Sequence, residues 1–163
     1  MSAKRKLDLD RTRERLVALG LTHAAESLDG VLTEAVKDDA SPHLAIDALL
    51  EAEISIREAR RVKTGLRLSS LPTGQTLAEF DFAFQPSVER SKIDLLATCA
   101  WVRQAETLLI QGPPGVGKTH LAVGLGMKAI ESGFGVQFSR FDELLLAHKR
   151  DAALPSARLR RRK

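Results

Sequence analysis

Gly112, Pro113, Pro114, Gly115, Val116, Gly117, Lys118 and Thr119 form a run that satisfies G-x-x-x-x-G-K-[ST] at every position. Glycines let successive backbone amides curl round an oxyanion. The lysine ammonium reaches the β and γ phosphates of a nucleotide, and the threonine hydroxyl is a ligand for magnesium. His120 follows directly and is grouped with the loop as a cofactor contact, although a histidine on a helix's first turn is more often a packing or surface residue. The chemistry expected is the gripping of ATP and Mg2+ by Gly112 to His120, with Thr119 on the metal. No catalytic residue is assigned. Hydrolysis asks for an acidic pair at the end of a second strand, to hold magnesium and orient water. Only Asp142 and Glu143 match by composition, and between Phe141 and Leu144 they read as the start of a helix. No histidine or cysteine cluster suggests a structural metal, and no serine or cysteine nucleophile has a partner pattern.

Such a loop needs a strand before it and a helix after it. Residues 107–111 have strand composition, residues 120–130 have helix composition, Gly133 is a stop, and residues 135–139 read as a second strand. The expected fold class is therefore α/β, an N-terminal helical domain followed by a partial P-loop core with a parallel sheet. Gly124 and Gly126 each cost a helix ~1 kcal/mol relative to alanine and are expected to admit close approach to that sheet.

Upstream, a helix over 87–103 would turn Ile93, Leu96, Ala97 and Ala100 toward the core, with Trp101 beside them. Phe80, Phe82 and Phe84 alternate at period two, which places them on one face of an extended segment. Residues 69–76 are rich in helix breakers and mark a boundary. Before it, spacings of three and four predict three helices. The first is capped by Asp10 and ended by Gly20. The second is capped by Thr22, with Ala25, Leu28, Leu32 and Ala35 inward. The third opens at Ser41 and Pro42 and runs to about Leu66. The division expected is 1–68 helical domain, 69–86 linker with the Phe-rich segment, 87–150 the first part of the nucleotide-binding core, and 151–163 a basic tail.

The net charge of +4 is a property of that tail: residues 158–163 carry five positive charges, leaving 20 basic against 21 acidic side chains in the other 157 residues. The tail, and secondarily the Arg57 to Arg67 cluster, make non-specific DNA a candidate partner. Complementing the helix dipole and pairing with Glu53 and Glu58 is the commoner role for such a cluster. With 44% hydrophobic and 28% charged residues the chain reads as soluble and globular. It has no apolar run of membrane-spanning length and no signal region, so a cytoplasmic location is expected. Cys99, the single cysteine, reads as a buried thiol.

In the order of these segments the sequence resembles the IstB-like ATP-binding proteins, helper ATPases of bacterial insertion sequences related to DnaC-type helicase loaders. The resemblance rests on Leu16 to Leu21, Glu51 to Arg67, Phe80 to Phe82, Leu95 to Ile110 with Trp101, and above all Gly112 to Ala122. It implies an AAA+ core behind a small helical domain, self-association, action on DNA, and cooperation with the transposase of the same element. It carries the P-loop roles to Gly112, Gly115, Gly117, Lys118 and Thr119, and sets Phe80 to Phe84 near the adenine. The family's pattern continues through an acidic pair, a sensor residue and an arginine finger, whereas residues 153–163 do not resemble that continuation. The reading that follows is a truncated or frameshifted form that binds nucleotide and hydrolyses it poorly. The alternatives are a helicase loader, or a DNA-binding or interaction fragment with a vestigial loop. A P-loop kinase would need a lid and an acceptor site after the second strand.

Overall fold

The computed structural model describes residues 8–152. The chain divides into two compact units, Met1–Arg61 and Val62–Lys163.

In the first unit, α1 (Leu9–Ala18) and α2 (Thr22–Lys37) pack together, and α3 (Pro42–Ser69) begins there. Asp8, rather than Asp10, caps α1: its carboxylate accepts from the Arg11 amide at 3.1 Å, while Asp10 is already helical and pairs with Arg13. Gly20 ends the turn as expected, with the Leu21 amide returning to the Leu16 carbonyl at 2.8 Å. The second guanidinium nitrogen of Arg13 crosses from α1 to Asp29 on α2 at 2.6 Å. Ala24, Ala25 and Leu28 are buried on α2, and Leu32 and Ala35 are half-buried on the face foreseen for them.

The cap of α2 differs from expectation. Leu21 occupies the N-cap position and offers no side-chain acceptor, and Thr22 is already the first helical residue. The acceptor comes from α3. Glu53 Oε2 accepts from the amides of His23 at 2.9 Å and Ala24 at 3.2 Å, while Oε1 accepts from Arg57 Nε at 2.8 Å. Arg57 also donates to the Gly20 carbonyl at 2.8 Å. Burial opposes the charge of Glu53, which is 4% exposed, but Arg57 and the two amides outweigh it and hold the carboxyl below the usual carboxylate range.

In the second unit α3 ends at Ser69, whose buried hydroxyl donates to the Leu66 carbonyl at 2.8 Å and accepts from the Leu71 amide at 3.2 Å. A single 3-10 turn, Leu77–Glu79, follows, then α4 (Arg90–Ala97), α5 (Ala100–Arg103), α6 (Lys118–Glu131) and α7 (Phe141–Ala152). Phe80, Ile93 and Leu121 are buried together, with Leu77, Phe82, Val88, Leu96 and Ile110 packed round them.

Three expectations are corrected here. The parallel sheet, and with it the α/β class, is not present: the described residues contain helices and no strand. Residues 107–111 and 135–139 avoid helix, as their composition required, but a strand exists only through a ladder partner. Among the described residues the backbone of 107–111 makes no hydrogen bond to other backbone, and that of 135–139 makes one, from the Phe138 amide to the Ser69 carbonyl at 2.7 Å. The helix expected over 87–103 is broken at Cys99, where φ is +58°. The Leu95 carbonyl accepts from the Thr98 amide and from Thr98 Oγ1 at 2.7 Å, and the Leu96 carbonyl from the Cys99 amide and from Trp101 Nε1 at 3.0 Å, so tighter backbone bonds and side chains share the acceptors that another turn would have used. Cys99 is fully buried there. The Phe80 to Phe84 strip is a turn. The Asp81 carboxylate accepts from the amides of Ala83 at 2.9 Å and Phe84 at 3.1 Å, which folds the chain back, buries Phe80 and leaves Phe84 71% exposed.

Candidate functional site

The loop Gly112 to Gly117 leads from the non-helical residues 107–111 into α6. Gly115 and Gly117 hold φ of +84° and +82°, the left-handed region in which a Cβ costs ~1–2 kcal/mol, so the chain curls twice within three residues. At Gly115 an added Cβ would meet nothing within 4 Å, and residues 112–115 are exposed. The concave side of the loop is therefore open to an incoming group. Gly117 is the N-cap of α6 and, having no side chain, leaves the helix's first amides without a side-chain cap. Lys118 folds back over the loop and donates from Nζ to the Pro113 carbonyl at 2.6 Å. Thr119 is exposed on the first turn. An uncapped helix start, an open glycine loop and a lysine held by a loop carbonyl fit a phosphate chain, since amides, dipole and ammonium would all favour the same anion.

His120 is held from the other side. Its Nε2 lies 2.8 Å from the carbonyl of Thr76, and its ring stands edge-on to Phe80, with centroids 5.3 Å apart. Thr76 opens the 3-10 turn with a capping box: its amide and hydroxyl donate to Glu79 Oε2 at 3.0 and 2.9 Å, and the Glu79 amide returns to Thr76 Oγ1 at 3.3 Å. Those two donors from Thr76 hold the Glu79 carboxyl below its usual range, against a smaller opposing effect of burial and with help from His120. The segment from Leu71 to Phe80 thus forms a strap along α6, and sequence reasoning missed it. A Cβ on Gly117 would lie 2.7 Å from Phe80 Cε2, one on Gly124 2.6 Å from Leu77 Cδ2 and 3.0 Å from the Leu77 amide, and one on Gly126 3.3 Å from Leu71. Gly124 and Gly126 admit this strap, not a sheet. The signal was present in the glycine spacing of α6, but it did not name the partner.

Asp142 and Glu143 do stand in the first turn of α7. Asp142 pairs with the exposed Arg140 at 3.3 Å, and Glu143 accepts from the Arg140 amide, also at 3.3 Å. An apolar cavity of about 530 Å³ is lined by Trp101, Leu108, Phe134 and Val136 and does not include the loop. Among the described residues no group of three or more His, Cys, Asp or Glu could hold a metal, and no helix is long and apolar enough to cross a membrane. Residues 153–163 of the expected basic tail lie outside the described residues.

Comparison with known proteins matches the same stretch of chain. The model of the IstB-like ATP-binding protein family matches residues 14–161. A protein of Pseudomonas aeruginosa insertion sequence IS21, named for ATP binding, is 36% identical over 130 residues, covering 80% of this chain and 49% of its own length. Its counterpart from IS5376 of Geobacillus stearothermophilus is 44% identical over 97 residues, 60% of this chain and 39% of the relative. That from IS232 of Bacillus thuringiensis subsp. berliner is 30% identical over 132 residues, 81% of this chain and 53% of the relative. The chain spans about half the length of the curated relatives it matches. With its glycine loop, strap and helical opening inside the matched region, this chain belongs to the IstB-like ATP-binding protein family.

Proposed function

We propose that this chain binds ATP with magnesium at Gly112 to His120 and serves as the nucleotide-binding helper of an insertion sequence's transposition. The carrying observation is the complete motif in a doubly left-handed loop opening directly into an uncapped helix. In this reading the amides of Gly112, Pro114's neighbour Gly115, Val116 and Gly117 face the phosphates, with Pro113 and Pro114 stiffening the turn. Lys118 leaves the Pro113 carbonyl for the β and γ oxygens, Thr119 supplies a hydroxyl to the metal, and His120 braces the first turn. Bound Mg2+ would neutralise phosphate charge. The names of the relatives place them in insertion sequences, which makes the transposase of the same element and its DNA the partners proposed, with self-association in the longer family members. The domain division 1–68, 69–86, 87–150 and 151–163, with the last segment as the DNA-facing tail, and a cytoplasmic setting belong to the same proposal.

Binding and turnover are separable. Asp142 and Glu143 spend their carboxylates on the start of α7, so the 163-residue chain alone is proposed to hold nucleotide with little hydrolysis. The test is calorimetric titration of MgADP into wild type and Lys118→Ala. The expected result is at least a tenfold loss of affinity, the loss of a charge-assisted contact of ~1.5–3 kcal/mol. Equal affinity in two folded proteins would remove the proposal.

A further inference from the structure

We infer that His120 is a positioning residue that ties the Leu71 to Phe80 strap to the phosphate loop, so that strap docking and nucleotide binding are one coupled equilibrium. This rests on the nucleotide-binding reading above.

The strap meets α6 along one stripe. Phe80 fills the space that a side chain on Gly117 would take, Thr76 meets His120, and Leu77 seats on Gly124. Residues 117, 120 or 121, and 124 recur at helical spacing, so a single face of α6 receives the strap over two turns. His120 supplies the only side-chain hydrogen bond recorded between strap and α6 among the described residues, and it bridges 44 positions of sequence. A carbonyl oxygen only accepts, so Nε2 of His120 is the donor. The Thr76 carbonyl that accepts is held in place by the capping box with Glu79.

The same strap end abuts the loop. Phe80 is 7% exposed, lies against Gly117, and makes edge contacts with both His120 and Phe82 at 5.3 and 4.9 Å. Gly117 is the residue whose left-handed φ starts α6 and aims its free amides. If the strap lifts, Gly117 loses the ring that fills its Cβ space, and the loop's last turn loses its support. A nucleotide that requires the curled loop favours the docked strap, and by reciprocity the docked strap favours the nucleotide. His120 touches no phosphate in this account. Its effect on affinity passes through Thr76 and Phe80.

The experiment compares the full chain as wild type, His120→Ala and His120→Gln. Glutamine places an amide donor where Nε2 stands and can bond the Thr76 carbonyl. MgADP affinity and hydrogen exchange of the amides of residues 76–80 are measured, the exchange with and without MgADP. His120→Ala should bind MgADP about three- to tenfold more weakly, the worth of one part-buried hydrogen bond. Its strap amides should exchange faster in the absence of nucleotide. His120→Gln should restore both within about twofold, and MgADP should slow strap exchange in wild type. Unchanged strap exchange in His120→Ala, or a glutamine variant as weak as alanine while folded, overturns the inference. The two readings fail separately. If wild type binds no MgADP the phosphate assignment fails, while faster exchange in nucleotide-free His120→Ala still supports the tie and unchanged exchange still defeats it.

Discussion

Two helix N-termini in this chain solve the same electrostatic problem in opposite ways. At α2 the free amides of His23 and Ala24 receive an anion from within the chain, the carboxylate of Glu53. At α6 the N-cap is glycine with no side-chain cap, and the surrounding loop is open. Both starts lack a local capping side chain, so neither matches the Ser, Thr, Asp or Asn preference. The difference lies in what surrounds them. Glu53 is buried and clamped by Arg57, a fixed and permanent counter-charge. Over the α6 loop, among the described residues, folds a positive charge, that of Lys118. An uncapped terminus with an internal anion is a structural joint, whereas one ringed by amides and a cation has the arrangement that suits an anion from outside.

The comparison can be broken first at Gly117. Gly117→Ala must accept the left-handed φ and displace the Phe80 ring, and is expected to cost about 2–5 kcal/mol in thermal or denaturant unfolding and to abolish MgADP binding. A stable variant with normal affinity would mean that the terminus of α6 is not shaped by that residue.

Glu53→Ala comes next. It leaves two amides unpaired and is expected to lower the thermal midpoint by several degrees by circular dichroism, with MgADP affinity unchanged. The sign of its pH dependence follows from the lowered carboxyl. Its contribution is complete above the ordinary value of 4.5 and is lost as pH falls through the lower folded value. Wild type should therefore lose stability on acidification more steeply than Glu53→Gln. Glu79 contributes with the same sign, so the glutamine variant flattens the profile only in part.

The smallest effect sharpens the contrast. Thr22→Ala is expected to change stability by less than roughly 0.5 kcal/mol, because Thr22 is the first helical residue and Glu53 holds the cap. A loss near 1 kcal/mol would return the cap to Thr22.

What could be read along the chain was local. Ser41 followed by Pro42 marked the start of α3, Gly20 the end of the first turn, and the glycines of the loop the left-handed turns that open α6, since each signal lies within a few positions of its effect. The missed features depend on distance. Glu53 caps a helix 30 positions earlier, and His120 meets a carbonyl 44 positions earlier, pairings that no window of periodicity contains. The strand reading of 107–111 and 135–139 failed for a related reason: composition expresses a preference for extended backbone, while a ladder needs a second chain segment alongside. Phe80 to Phe84 failed locally, because the Asp81 carboxylate competes for the amides that period-two alternation assumes to be free.

The direct test is to follow backbone amide shifts by ¹H–¹⁵N correlation while MgADP is added to the 163-residue chain. Large, saturable shifts at Gly115, Gly117, Lys118 and Thr119, with His23 and Ala24 unmoved, are the result this account predicts. Unmoved loop amides, or shifts at His23 and Ala24 as large as those of the loop, would contradict it.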